Sequence, residues 1–143
     1  MIDIRVKGGS KLQHEIVRNL SQFVKEKYFD NHKNVSIEFT IKKHLGRDDG
    51  LDGLCFPLNN TKPREFEVDI DKDLPLMHFI KTVIHELIHV KQYVTGQLSD
   101  KVGHASRVIW KGRDHSKTTY SRQPWEREAY RLQEKLFIEF MAK

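Results

Sequence analysis

Between Asp73 and Gly96 the chain reads LPLMHFIKTVIHELIHVKQYVT, and no other segment constrains the fold as strongly. Leu76, Phe79, Ile80, Val83, Ile84, Leu87, Ile88 and Val94 recur at helical spacing and cover a wide arc. Asp73 and Pro75 mark the start of such a helix, and Gly96 suits a left-handed cap just past its end, near Val94. A helix apolar over so much of its circumference belongs at the centre of a core. Yet His85, Glu86 and His89 stand in its middle, and burying them is costly unless each finds a partner.

The remaining pattern supplies the layers around that helix. IDIRV at 2–6, VSIEFTI at 35–41 and REFEVDI at 64–70 alternate as strands, the last with Phe66, Val68 and Ile70 on one side and Glu65, Glu67 and Asp69 on the other. LCFPL at 54–58 is a shorter strand, held to a sheet edge by Pro57. ASRVIW at 105–110 is another candidate, and GRDDGLDG at 46–53 is a turn-rich loop. Ser10 and Gln13 form a capping box before an amphipathic helix over 11–27, with Leu12, Ile16, Val17, Leu20, Phe23 and Val24 at helical spacing. Pro124 opens a third helix whose Trp125, Ala129, Leu132, Leu136 and Phe140 share one face. The expectation is one α+β domain over residues 1–143, a small, twisted, mostly antiparallel sheet packed with helices.

Composition excludes several classes. With 143 residues and 38% hydrophobic content a packed core forms, and no stretch approaches the roughly 20 apolar residues of a membrane span. The first ten residues carry no apolar signal-peptide core, so a cytoplasmic location is expected. The single Cys55 excludes a disulfide framework and a multi-cysteine zinc finger, and reads as a core residue.

His85-Glu86-Leu87-Ile88-His89 is an H-E-x-x-H motif. Imidazoles four residues apart on a helix project from one face and reach a single zinc ion at about 2.0–2.1 Å. Glu86 lies roughly 100° round the helix, flanking that face. It is placed to hold a water on the ion, whose pKa zinc lowers toward 7, and to take its proton as general base. A zinc site needs a further protein ligand, and His104, His115, Glu126 and Glu128 are the downstream candidates. Glu126 is favoured: Pro124 puts it in the first turn of its helix, beside the Trp125/Ala129 stripe, whereas Glu128 lies about 200° round and faces solvent. Gln92 and Thr95 stand where a metzincin has Gly and His, which excludes that class.

Around these residues the chain resembles the gluzincins, zinc peptidases whose third ligand is a Glu on a later helix in an E-x-x-A-D string. The matching residues are Glu126-Arg127-Glu128-Ala129-Tyr130, with Tyr130 where Asp is usual. The fuller pattern HELIHVKQY, WKG, QPWEREAY is similar to small, phage-borne zinc peptidase-like proteins near the minigluzincins and SprT-like proteins, over residues 64–135. The third His of the SprT-like pattern is followed by Gly, whereas here Gly103 precedes His104 and Ala105 follows it. The resemblance implies a zincin-like domain with an active-site helix and a second ligand-bearing helix. It implies Zn²⁺ on His85, His89 and Glu126, Glu86 activating water for amide hydrolysis, and a peptide or protein substrate pairing with strand 64–70. Tyr120 is the leading candidate to stabilise the oxyanion, ahead of His115 and Arg122.

Charge points to a rival. Of the net +5, all is carried by residues 101–122, where Lys101, Arg107, Lys111, Arg113, Lys117 and Arg122 face Asp114 alone. That segment suits DNA or an acidic protein, so a zinc-stabilised binding module without catalysis, or a DNA-associated SprT-like protease, stands as the alternative.

Overall fold

The computed structural model describes residues 2–43, 52–58, 63–101 and 107–143. Strand β1 (Ile2–Lys7) leads into helix α1 (Lys11–Tyr28), then β2 (Val35–Lys42), β3 (Gly53–Pro57) and β4 (Glu65–Asp71). Helix α2 (Leu76–Val94) follows, then β5 (Leu98–Lys101), β6 (Arg107–Trp110), β7 (Arg113–Asp114), a 3₁₀ turn at Tyr120–Arg122 and helix α3 (Pro124–Met141). The described residues form a small mixed α+β domain in which three long helices pack with the strands.

The local signals act where the sequence places them. Ser10 Oγ accepts the Gln13 N–H at 3.1 Å, and Gln13 Oε1 accepts the Ser10 N–H at 3.0 Å, so the capping box starts α1. Gly96 adopts φ +80° after α2, a conformation that an L side chain resists. Leu12 and Leu76, counted into the apolar faces from spacing, are instead exposed, each lying in the first turn of its helix.

The main sheet has the order β1-β2-β4-β3. β1 pairs with β2 and β2 with β4 in parallel, and β3 joins β4 antiparallel. The α1 crossover returns the chain for β2 in the same direction as β1, as parallel pairing requires. Together with the antiparallel β5-β6-β7 sheet, three of the five pairings described are antiparallel. Val35, Ile37, Phe39 and Ile41 of β2 and Phe66, Val68 and Ile70 of β4 are buried. α1 and α2 pack against each other and the sheet, and α3 lies along α2.

One expectation is corrected. The strand at 64–70 is not an edge: β4 lies between β2 and β3, and β3 with its Pro57 forms the open rim next to α2. β5 carries no alternation that marks a strand, and pairs through its backbone with β6 at Leu98↔Trp110. Within α2, Val83, Ile84, Leu87 and Ile88 are fully buried, each contributing about 1.5–3 kcal/mol. That burial offsets the cost of placing three polar side chains between them. Among the described residues no helix is long and apolar enough to cross a membrane.

Candidate metal centre

His85 and His89 present one edge of α2 to the first turn of α3, where Pro124 fixes the backbone start and Glu126 follows two residues on. His85 Nε2 lies 2.9 Å from Glu126 Oε1, and His89 Nε2 lies 3.3 Å from Glu126 Oε2. Both imidazoles are buried and their rings stand 4.9 Å apart at 82°. The three side chains form a group able to hold a metal ion, with ligand atoms all within 4.8 Å of one another. A tetrahedral ion at about 2.0–2.1 Å from each donor asks for donor separations of about 3.4 Å, close to these distances.

Glu86 is 6% exposed and lies beside the group. Burial pushes its carboxyl above the ordinary range, His89 and His85 pull it back, and the Glu126 charge adds to the push. Glu126 feels burial in the same sense, but its hydrogen bonds to both histidines outweigh it and hold it at about 2. Burial disfavours a charged His89, yet Glu126 and Glu86 raise it to about 9. Two carboxylates and two imidazoles converging in one recess supply donors that a divalent cation fits once the His89 proton is displaced. The donor set of two nitrogens and one oxygen, without thiolate, is that of a catalytic zinc site.

Edge strand β3 fits over Glu86 because residue 53 is glycine: a Cβ there would stand 3.2 Å from Glu86 Oε2 and 3.0 Å from Thr82 Cγ2. The group opens on a cavity of about 450 Å³ that reaches Leu54, Cys55, Tyr93, Leu98 and Val108. A second cavity of about 440 Å³ shares Gly53, His85, Glu86 and Tyr120 and runs toward His78. His78 itself is half exposed and ion-pairs with Asp52 at 2.8 Å.

Tyr120 stands at the mouth of both cavities. Its hydroxyl donates toward Glu126 Oε1 at 3.4 Å and lies 3.1 Å from the Tyr130 hydroxyl. Burial, Tyr130 and the Glu126 charge all raise its pKa, so the phenol keeps its proton. His115 is not in the metal group: its ring packs edge-on to Trp125 and its Nδ1 pairs with Thr118. Arg122 is exposed in the 3₁₀ turn. His104 lies outside the described residues.

Glu128 corrects the sequence reading. Its side chain is 12% exposed and ion-pairs with Lys91 at 2.8 Å, since the partner cation on α2 lies across the helix contact. Two further residues were not legible from spacing. Gln133 Oε1 lies 2.7 Å from His85 Nδ1, and Gln92 Oε1 lies 2.8 Å from His89 Nδ1. The signal for Gln92 was a polar residue in an otherwise apolar arc, three positions after a ligand histidine; Gln133 gave none. Comparison with family models, with curated proteins and with solved structures gives no match for this chain.

Proposed function

We propose that this chain is a zincin-like, zinc-dependent metallopeptidase that hydrolyses peptide bonds in a peptide or protein. The observation that carries the reading is the meeting of His85, His89 and Glu126 with the Glu86 carboxylate beside them, in a cleft rimmed by an edge strand. A zinc ion on the three ligands supplies Lewis acidity, polarising the carbonyl and making water acidic near neutral pH.

The chain's own groups do the rest. Glu86 takes the proton of the attacking water; its carboxyl, raised by burial, is poised to return that proton to the leaving amine. Water oxygen bonds to the carbonyl carbon, the C–N bond breaks, and the amine leaves with the proton. Tyr120, protonated over the working range, donates a hydrogen bond to the oxygen as charge develops there. The open rim of β3, beside Gly53 and Leu54, offers backbone groups along which an extended peptide adds as a strand.

The test is zinc stoichiometry together with cleavage of an unstructured protein by wild type and Glu86→Gln. The reading requires one zinc in both and cleavage by wild type alone. Equal background cleavage by zinc-loaded wild type and variant removes the peptidase reading.

A second reading is favoured by one observation: Lys111, Arg113, Lys117 and Arg122 are all exposed, in the β6–β7 turn, in β7, in the segment that follows it and in the 3₁₀ turn. These charges suit DNA or an acidic protein, bound by a zinc-stabilised module or by a DNA-associated protease. DNA affinity that falls with salt and survives Glu86→Gln supports it.

A further inference from the structure

Each histidine of the metal group is held from behind by an uncharged carboxamide. Gln92 is fully buried, and its Nε2 donates to the Trp125 carbonyl at 2.9 Å and to Glu128 Oε1 at 3.2 Å. Those acceptors settle which way the amide faces: its nitrogen points to α3 and its oxygen to His89. The Gln133 nitrogen likewise lies against an acceptor, Glu134 Oε2 at 3.4 Å, leaving its oxygen to His85. An amide oxygen only accepts, so each Nδ1 carries the hydrogen. Each Nε2, on the side where Glu126 stands, is then the nitrogen that gives its lone pair to an ion once the proton it shares with Glu126 has left.

The arrangement also sets charge. A carboxylate behind an imidazole makes the ring more basic and passes negative charge to the ion. A carboxamide orients the ring without doing so. The carboxylates behind this shell, Glu128 and Glu134, meet the amide nitrogens of Gln92 and Gln133 rather than an imidazole, and Glu128 also meets the Lys91 ammonium. With zinc bound, Glu126 would be the anionic ligand among the described residues, with the Glu86 carboxylate beside it.

We propose that Gln92 and Gln133 are positioning residues of the metal centre, holding both imidazoles in the Nδ1–H form while adding no negative charge, so that the bound ion stays a strong acid. Gln92 does this from a second direction too, because its bond to the Trp125 carbonyl fixes the backbone one residue before Glu126. The proposal rests on the metal reading above and goes beyond it by assigning what sets the ion's affinity and acidity.

Gln133 is the cleaner probe, since it is half-buried and its hydrogen bond to α2 is the one to His85, whereas Gln92→Leu removes helix-to-helix bonds and lowers the stability of the metal-free protein. Zinc affinity is measured by competition with a chromophoric chelator for wild type, Gln133→Leu and Gln133→Glu, alongside the visible spectrum of each protein loaded with cobalt. Gln133→Leu is expected to bind zinc about 10–100-fold more weakly. Gln133→Glu, which keeps the acceptor and adds charge, is expected to bind at least as tightly as wild type, with a shifted cobalt spectrum and a lower kcat at unchanged KM. Equal affinities in all three proteins overturn the proposal while leaving the metal site standing, and so does an equal loss in Leu and Glu variants. A wild type that binds no zinc removes the metal reading itself, and the proposal with it.

Discussion

Gly53 lies so close to Glu86 that a methyl group on its Cα would stand 3.2 Å from the carboxylate oxygen. The edge strand and the Glu86 carboxylate are thus fitted to each other, and a Cβ at 53 moves either the strand or the carboxylate by a few tenths of an ångström. Displacing a catalytic group by up to 1 Å costs as much as about 100-fold in rate. Gly53→Ala is therefore expected to lower kcat at least tenfold with one zinc still bound. Steady-state kinetics and metal analysis on the same sample check this; an unchanged kcat shows the contact to be slack.

Glu126 joins α3 to α2 through both oxygens, so its replacement removes the proposed third ligand and both contacts to the histidines. Saturating zinc at about 100 times its dissociation constant stabilises the wild type by about 2.7 kcal/mol. Glu126→Gln is expected to lose nearly all of that gain. Melting curves with and without zinc decide it, and a variant that still rises with zinc returns the third ligand to open question.

Zinc binding is expected to strengthen with pH. In the metal-free protein His89 is held at about 9 and is protonated at neutrality, so a binding ion must expel that proton. Glu126, at about 2, is already ionised and contributes nothing to the slope. Affinity should rise about tenfold per pH unit from 7 toward 9 and then level off. Titration calorimetry in buffers of different ionisation enthalpy counts the released proton; a count of zero at pH 7 contradicts the assignment.

The same two groups shape the stability of the metal-free chain. His89, raised in the fold, contributes stability fully below about 6.5 and loses it as pH climbs through about 9. Glu126, lowered, contributes above about 4.5 and loses it as pH falls toward about 2. Denaturant midpoints of the metal-free protein are expected to peak between about pH 4.5 and 6.5, and a peak above pH 8 refutes this pairing.

Lys91 and Glu128 clamp α2 to α3 with both side chains 12% exposed. Burial raises the Glu128 carboxyl, but Lys91 and Gln92 overcome it and leave it below its ordinary range. Lys91→Met leaves that carboxylate half-buried without its cation, at a cost of about 1–3 kcal/mol. The melting temperature of the metal-free protein should fall by about 3–10 °C; no change shows the pair to be a surface contact.

What the sequence discloses and what it withholds follow from the physics of each element. α2, α3 and the capping box at Ser10 are legible because period and residue type both act locally. The meeting of His85, His89 and Glu126 is legible because the residue types carry their chemistry with them. Strand order is not, since alternation in 64–70 is the same for an edge and an interior strand, and only pairing on both sides decides. Glu128 was misplaced because helical angle alone ignores Lys91 on the facing helix. Gln133 was missed because a glutamine is chemically mute until its oxygen meets an imidazole 48 positions away.

The ligands sit on only two helices, and the chain between His89 and Glu126 contains the whole second sheet. An ion held there would tie the two helices across a 37-residue loop, removing conformations from the unfolded ensemble as a cross-link does. Removing such an ion would release that loop's closure as well as the reaction, so fold and activity would answer to the same ion.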